Sequence, residues 1–67
     1  MIEITNKQKS VIQLIVRSRR ASNAFTVMDI PGVGKEKNKI VIEDDRYTQY
    51  IDRAEKAGLI STRVLND

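Results

Sequence analysis

Cysteine and histidine are both absent from this 67-residue chain. Without cysteine there is neither a disulfide framework nor a thiolate zinc site, and the composition fits a reducing compartment. Without histidine the usual general base and the commonest metal ligand are missing. Long apolar runs are lacking too. Leu14-Ile15-Val16 and Ile40-Val41-Ile42 fall far short of the ~20 residues that a membrane helix requires. Met1-Ile2-Glu3-Ile4 is not a basic segment leading into an apolar one, so no secretory signal is expected and the location expected is cytoplasmic. Nor is there a strong bias of charge. Twelve basic residues against nine acidic ones leave a formal +3, a weak lean toward a polyanionic partner whose weight depends on how the charges are distributed.

Sixty-seven residues make a single domain, 1–67, near the lower size limit at which a hydrophobic core suffices. Stability must come from packing Val, Ile, Leu, Phe and Tyr, or from a partner chain. The clearest local pattern runs from Asp44 to Ile60. Tyr47, Tyr50, Ile51 and Ala54 are spaced i, i+3, i+4 and i+7, one stripe of an amphipathic helix. Asp44 or Asp45 suits its N-terminal end, Lys56 its last turn, and Gly58 a left-handed C-terminal cap. The spacing predicts a helix over Asp45–Ala57.

A second helix is expected over Thr5–Arg20. Thr5-Asn6-Lys7-Gln8 matches a capping box, and Val11, Ile12, Ile15 and Arg19 mark one face with Leu14 beside it. Arg17, Arg19 and Arg20 gather at its C-terminal end. Complementing the helix dipole and contacting phosphate explain that cluster about equally well. Ala21-Ser22-Asn23 reads as a stop. In the next segment, Thr26-Val27-Met28-Asp29 fits a capping box, while Phe25, Thr26, Val27 and Ile30 equally suit a strand. Pro31 limits any helix there to about one turn. Pro31-Gly32-Val33-Gly34 is a turn, Lys35 to Lys39 a charged loop, and Ile40-Val41-Ile42 a strand. A hairpin pairing residues near 25–30 with 39–43 follows, and Ile60 to Leu65 offers another strand.

Tyr47-Thr48-Gln49-Tyr50-Ile51-Asp52-Arg53-Ala54-Glu55-Lys56-Ala57-Gly58-Leu59-Ile60-Ser61 resembles the recognition helix and first wing strand of winged helix-turn-helix DNA-binding regulators. Only Ser61 to Asp67 remain after it, so at most one wing strand is present. The resemblance implies an α+β, winged-helix-like domain, with two main helices packed on a short β-sheet built from residues near 25–30, 39–43 and 60–65. It also implies a small regulator of transcription that reads duplex DNA through the helix 45–57, with a homodimer as the expected state. Arg46, Thr48, Gln49 and Arg53 would face bases, where Arg pairs with guanine, Gln with adenine and Thr meets a thymine methyl. Arg19, Arg20, Lys35, Lys37 and Lys39 would contact phosphates. Against this, Asp44, Asp45, Asp52 and Glu55 place negative charge on or beside the same helix.

Ile30-Pro31-Gly32-Val33-Gly34-Lys35 is similar to the hairpin of helix-hairpin-helix motifs, which implies non-specific DNA binding through close backbone approach to a phosphate. A plain Pro/Gly turn accounts for the same residues. The remaining alternative is an interaction module that binds and modulates a larger protein, with Tyr and Arg as anchors. No enzyme is expected and no cofactor. Glu43, Asp44 and Asp45 are three adjacent carboxylates with the oxygen ligands for a divalent cation, and capping a helix explains them more simply.

Overall fold

The alternation of apolar side chains from Ile2 to Val16 has a period of two, and in the computed structural model both ends of that stretch are strands. The structure describes residues 1–20, 23–34 and 37–65. The elements are β1 (Ile2–Asn6), β2 (Ile12–Arg17), β3 (Phe25–Ile30), β4 (Lys39–Ile42), a 3-10 turn (Asp44–Arg46), α1 (Gln49–Lys56) and β5 (Ile60–Val64). The fold is therefore mostly strand with one α-helix, and the expected winged-helix-like arrangement of two helices on a sheet is corrected.

The error lies in Thr5–Arg20. Leu14 and Val16, two apart, are buried, while Val11 on the expected helical face is exposed. Val11, Ile12, Ile15 and Val16 are all β-branched and suit a pleated backbone. The Thr5-Asn6-Lys7-Gln8 signature serves another purpose. The Asn6 side-chain oxygen accepts the Gln8 N–H at 2.8 Å, which turns the chain and separates β1 from β2.

Two antiparallel sheets result: β4-β1-β5, and the hairpin β2-β3. β1 lies in the centre of the first sheet, with Ile2 opposite Ile42 and Ile4 opposite Ile40. On its other side Ile2 faces Val64 and Asn6 faces Ile60. In the hairpin, Ile12 lies opposite Ile30 and Leu14 opposite Met28. Strands do form at 25–30, 39–42 and 60–64, but residues 25–30 do not pair with 39–43. The Pro31-Gly32 segment runs against the β1–β2 turn instead. Val33 N–H donates to the Gln8 carbonyl at 2.7 Å, and a Cβ on Gly32 would lie 2.2 Å from the Lys9 carbonyl oxygen. Only glycine permits that approach, which carries the chain across to the edge of β1.

The core between the sheets consists of Ile4, Leu14, Val16, Ile30, Ile42, Ile51 and Ile60. Ile51 is the contribution of α1, with Tyr47 and Ala54 half-buried beside it. Gly58 has φ +80, the left-handed cap expected there. The helix begins four residues later than expected, however, because Tyr47 and Thr48 are extended. The cause is the open edge of β2. Arg46 Nε donates to the Arg17 carbonyl at 2.8 Å and the Thr48 hydroxyl to the Ile15 carbonyl at 2.6 Å. Donors two residues apart meet acceptors two residues apart only if both segments are extended, since a helix turns residue i+2 to another face.

Asn6 ties the layers together. Fully buried, its amide nitrogen reaches the carbonyls of Ser10, Ile30 and Pro31 at 2.9, 3.0 and 3.1 Å. Its main chain exchanges hydrogen bonds with Asn38, N–H to carbonyl at 2.8 Å and side-chain amide to carbonyl at 3.1 Å. Among the described residues, no helix is long and apolar enough to cross a membrane.

Candidate nucleic-acid interface

Where β2 and β3 join, the strand pairing sets Arg17 opposite Phe25. The guanidinium of Arg17 lies over the Phe25 ring, 5.6 Å from its centroid. Across from it, the N-terminal turn of α1 presents Tyr50. The two rings meet edge to face, with centroids 6.5 Å apart and planes at 86°, the arrangement that the ring quadrupoles favour. Arg53, one turn along α1, lies 5.9 Å from the Tyr50 centroid. Phe25 is 55% exposed and Tyr50 39%. Two aromatic rings, each with an arginine over it, are thus held open to solvent.

These side chains line an open groove of about 460 Å³, bounded by Arg17, Phe25, Tyr47, Thr48, Gln49 and Tyr50. Gln49 is exposed at its rim. Thr48 forms part of the floor. Burial of the Tyr47 hydroxyl pushes its pKa up, and the nearby carboxylates Asp52 and Glu55 add to the effect against Lys56. Tyr47 therefore remains an uncharged donor at neutral pH.

A smaller cavity of about 240 Å³ adjoins it, lined by Arg17, Ser18, Arg19, Glu43, Asp45 and Arg46. Here the charges compensate one another. Arg19 pairs with Glu43 at 3.1 Å and Arg46 Nη1 with the same carboxylate at 3.5 Å. The Glu43 pKa is lowered, chiefly by main-chain hydrogen bonding at Glu43 and then by Arg19 and Arg46, with burial opposing. One of its oxygens, Oε2, is buried without a hydrogen bond; the 3.5 Å approach of Arg46 is electrostatic. Among the described residues no cluster of three carboxylates is placed to hold a metal ion. Asp44 pairs with the N-terminal ammonium at 2.7 Å, away from Glu43.

The residues expected to read bases are thus divided. Arg46 is 8% exposed and Thr48 5%, and both hold the edge of β2. Gln49 and Arg53 are exposed on α1. Of the expected phosphate contacts, Arg19 and Arg20 are exposed, and Arg19 lines the adjoining cavity. Lys37 and Lys39 lie beyond the far end of the hairpin, beside β1 (Thr5 opposite Lys39). Lys35 lies outside the described residues. Ile30 ends β3, and residues 31–34 of the expected helix-hairpin-helix turn lie between strands β3 and β4 rather than between helices. The aromatic members Phe25 and Tyr50 were not among the expected site residues. Tyr50 belongs by its spacing to the stripe expected to be buried, and the one sequence signal for Phe25 is its position at a strand end next to an arginine-rich turn. Comparison with protein-family models, with curated proteins and with solved structures returned no match, so the site is read from its own geometry.

Proposed function

We propose that this chain is a small non-enzymatic protein of the cytoplasm that binds single-stranded nucleic acid through the arginine–aromatic groove. The observation that carries the reading is the open pair Phe25–Tyr50, each ring flanked by a guanidinium. Every base has a π-face, so exposed rings serve as stacking platforms worth ~1–3 kcal/mol per base, while arginines follow the phosphates. Arg17 and Arg53 supply that charge, and Gln49 offers both a donor and an acceptor to a base edge.

This places recognition in the groove rather than on a duplex-reading helix. α1 has eight residues, about 12 Å of axis. Arg46 and Thr48 precede it and face β2, and Asp52 and Glu55 stand on it beside Arg53 and Lys56. Protein partners that insert an extended, apolar segment into the same groove are the competing occupant.

Fluorescence anisotropy with labelled single-stranded and duplex oligonucleotides across a salt series tests the proposal. Single strands should bind more tightly than duplex, with affinity that falls as salt rises. Phe25→Ala and Tyr50→Ala should each weaken binding by about tenfold while leaving the circular dichroism spectrum unchanged. Equal binding of wild type and both variants, or a preference for duplex, would remove the groove from the account.

A further inference from the structure

The outer edge of β3 is a second surface, with its own occupant. β3 pairs only with β2 among the described residues. Ser18 N–H bonds the Ala24 carbonyl, and the carbonyls of Ile15 and Arg17 point away from β3 toward Thr48 and Arg46. Antiparallel pairing alternates along the strand, so Thr26, Met28 and Ile30 bond inward to β2. The N–H and C=O groups of Phe25, Val27 and Asp29 therefore face the open edge. Backbone groups of this kind are templates for another strand.

We propose that this edge pairs with the same edge of a second copy of the chain, about a two-fold axis through Val27. In that register Val27 meets Val27 of the other copy, and Phe25 meets its Asp29. All three residues are of the outward-bonding type, so each pair exchanges two hydrogen bonds and all six open groups on each edge are satisfied. A register shifted by one residue would place inward-bonding residues opposite outward-bonding ones. The side chains agree with the backbone. Ile15, opposite Val27 in the hairpin, extends the central row into four aliphatic side chains across the joined sheet. Val27 is 53% exposed in the single chain, and that apolar surface is removed from water. The flanking row places Asp29 of one copy beside Phe25 and Arg17 of the other, opposite charges on one line. Asp29 forms no ion pair within the described chain. Because an antiparallel two-fold stands perpendicular to the sheet, both arginine–aromatic grooves open on the same side of a four-stranded sheet. Self-pairing does not depend on the groove reading, since it is measured without nucleic acid.

Sedimentation and directed cross-linking test it. The wild-type chain should sediment as a reversible dimer. Across the axis a hydrogen-bonded antiparallel pair has Cα atoms ~5.5 Å apart, within disulfide range. Val27→Cys, the only cysteine in the chain, should therefore form a covalent dimer on oxidation. Phe25→Cys and Asp29→Cys alone should not, whereas the double variant should. Val27→Lys places two ammonium groups side by side and should weaken association at least about tenfold, with an unchanged urea midpoint for the single chain. A wild-type chain that stays monomeric at about 1 mM would overturn the proposal. So would a dimer in which Val27→Cys does not cross-link, or in which Val27→Lys associates as wild type does. A monomer that instead pairs β3 with an extended peptide would assign the edge to a different occupant and likewise overturn it.

Discussion

Replacing Asn6 by alanine tests the reasoning about what holds the two sheets together. The side chain is fully buried; it receives the Gln8 N–H and reaches three carbonyls, those of Ser10, Ile30 and Pro31. An amide nitrogen has two hydrogens, so it satisfies two of those carbonyls fully and shares with the third. The substitution removes about three hydrogen bonds, each ~0.5–1.5 kcal/mol net, and takes from the Gln8 N–H and the Ser10 and Pro31 carbonyls their Asn6 partner, at a further ~1–3 kcal/mol. A loss of about 3–7 kcal/mol follows. A chain of this length has a total stability of roughly 3–10 kcal/mol at ~0.05–0.15 per residue, so Asn6→Ala should bring it close to unfolding. Urea titration followed by circular dichroism reads this directly. With a slope of ~1 kcal/mol/M, the midpoint should fall by about 3 M or more. Asn6→Asp separates hydrogen bonding from shape. It keeps the acceptor for Gln8 N–H but turns a carboxylate oxygen toward three carbonyls in a buried site, so at neutral pH it should cost at least as much as alanine. An alanine cost below ~1 kcal/mol, or an aspartate variant more stable than the alanine one, would refute the role given to Asn6.

Gly32→Ala should destabilise by about 3 kcal/mol, because the new Cβ meets the Lys9 main chain at 2.2 Å and not a side chain that could swing aside; a thermal melt within a degree of wild type would contradict this. Thr48→Val keeps the shape but removes the donor to the Ile15 carbonyl, for an expected cost of ~1–3 kcal/mol and faster hydrogen exchange at the start of α1; unchanged exchange there would show that the edge of β2 needs no cover. Glu43 gives the pH dependence. Its pKa lies lower in the fold than its ordinary 4.5, so its contribution is present above that value and is lost as pH falls through the depressed one. Urea midpoints of Glu43→Gln should therefore decline less than those of wild type below pH 4.5, and parallel declines would dissociate Glu43 from acid stability.

The β-branched runs at 25–30, 40–42 and 60–64 announce strands wherever they are placed, since the pleated backbone relieves the crowding at their Cβ atoms. The same local logic holds for Ile51, Ala54 and Gly58 at the core face and end of α1. It fails at Thr5 to Gln8, where one set of residues satisfies two local hydrogen-bond patterns, a capping box and an asparagine-centred turn. Only the burial of Leu14 and Val16 decides between them. The expected hairpin of 25–30 with 39–43 fails for a related reason. Strand partners are chosen by distant matching of apolar rows, and here Ile4 and Ile2 of β1 take the place that sequence proximity would assign to β3.

Composition and local spacing on their own determined a single small chain without thiol or imidazole chemistry, with several strands, a helix ending at Gly58, and arginines enough to meet an anion. The tertiary structure alone decided which of those arginines remain available. Arg46 and Thr48, indistinguishable by type from surface residues, are drawn inward because the edge of β2 has carbonyls that must be bonded. Phe25 and Tyr50, apolar enough for the core, are left outside because Ile30 and Ile51 already fill the space between the sheets.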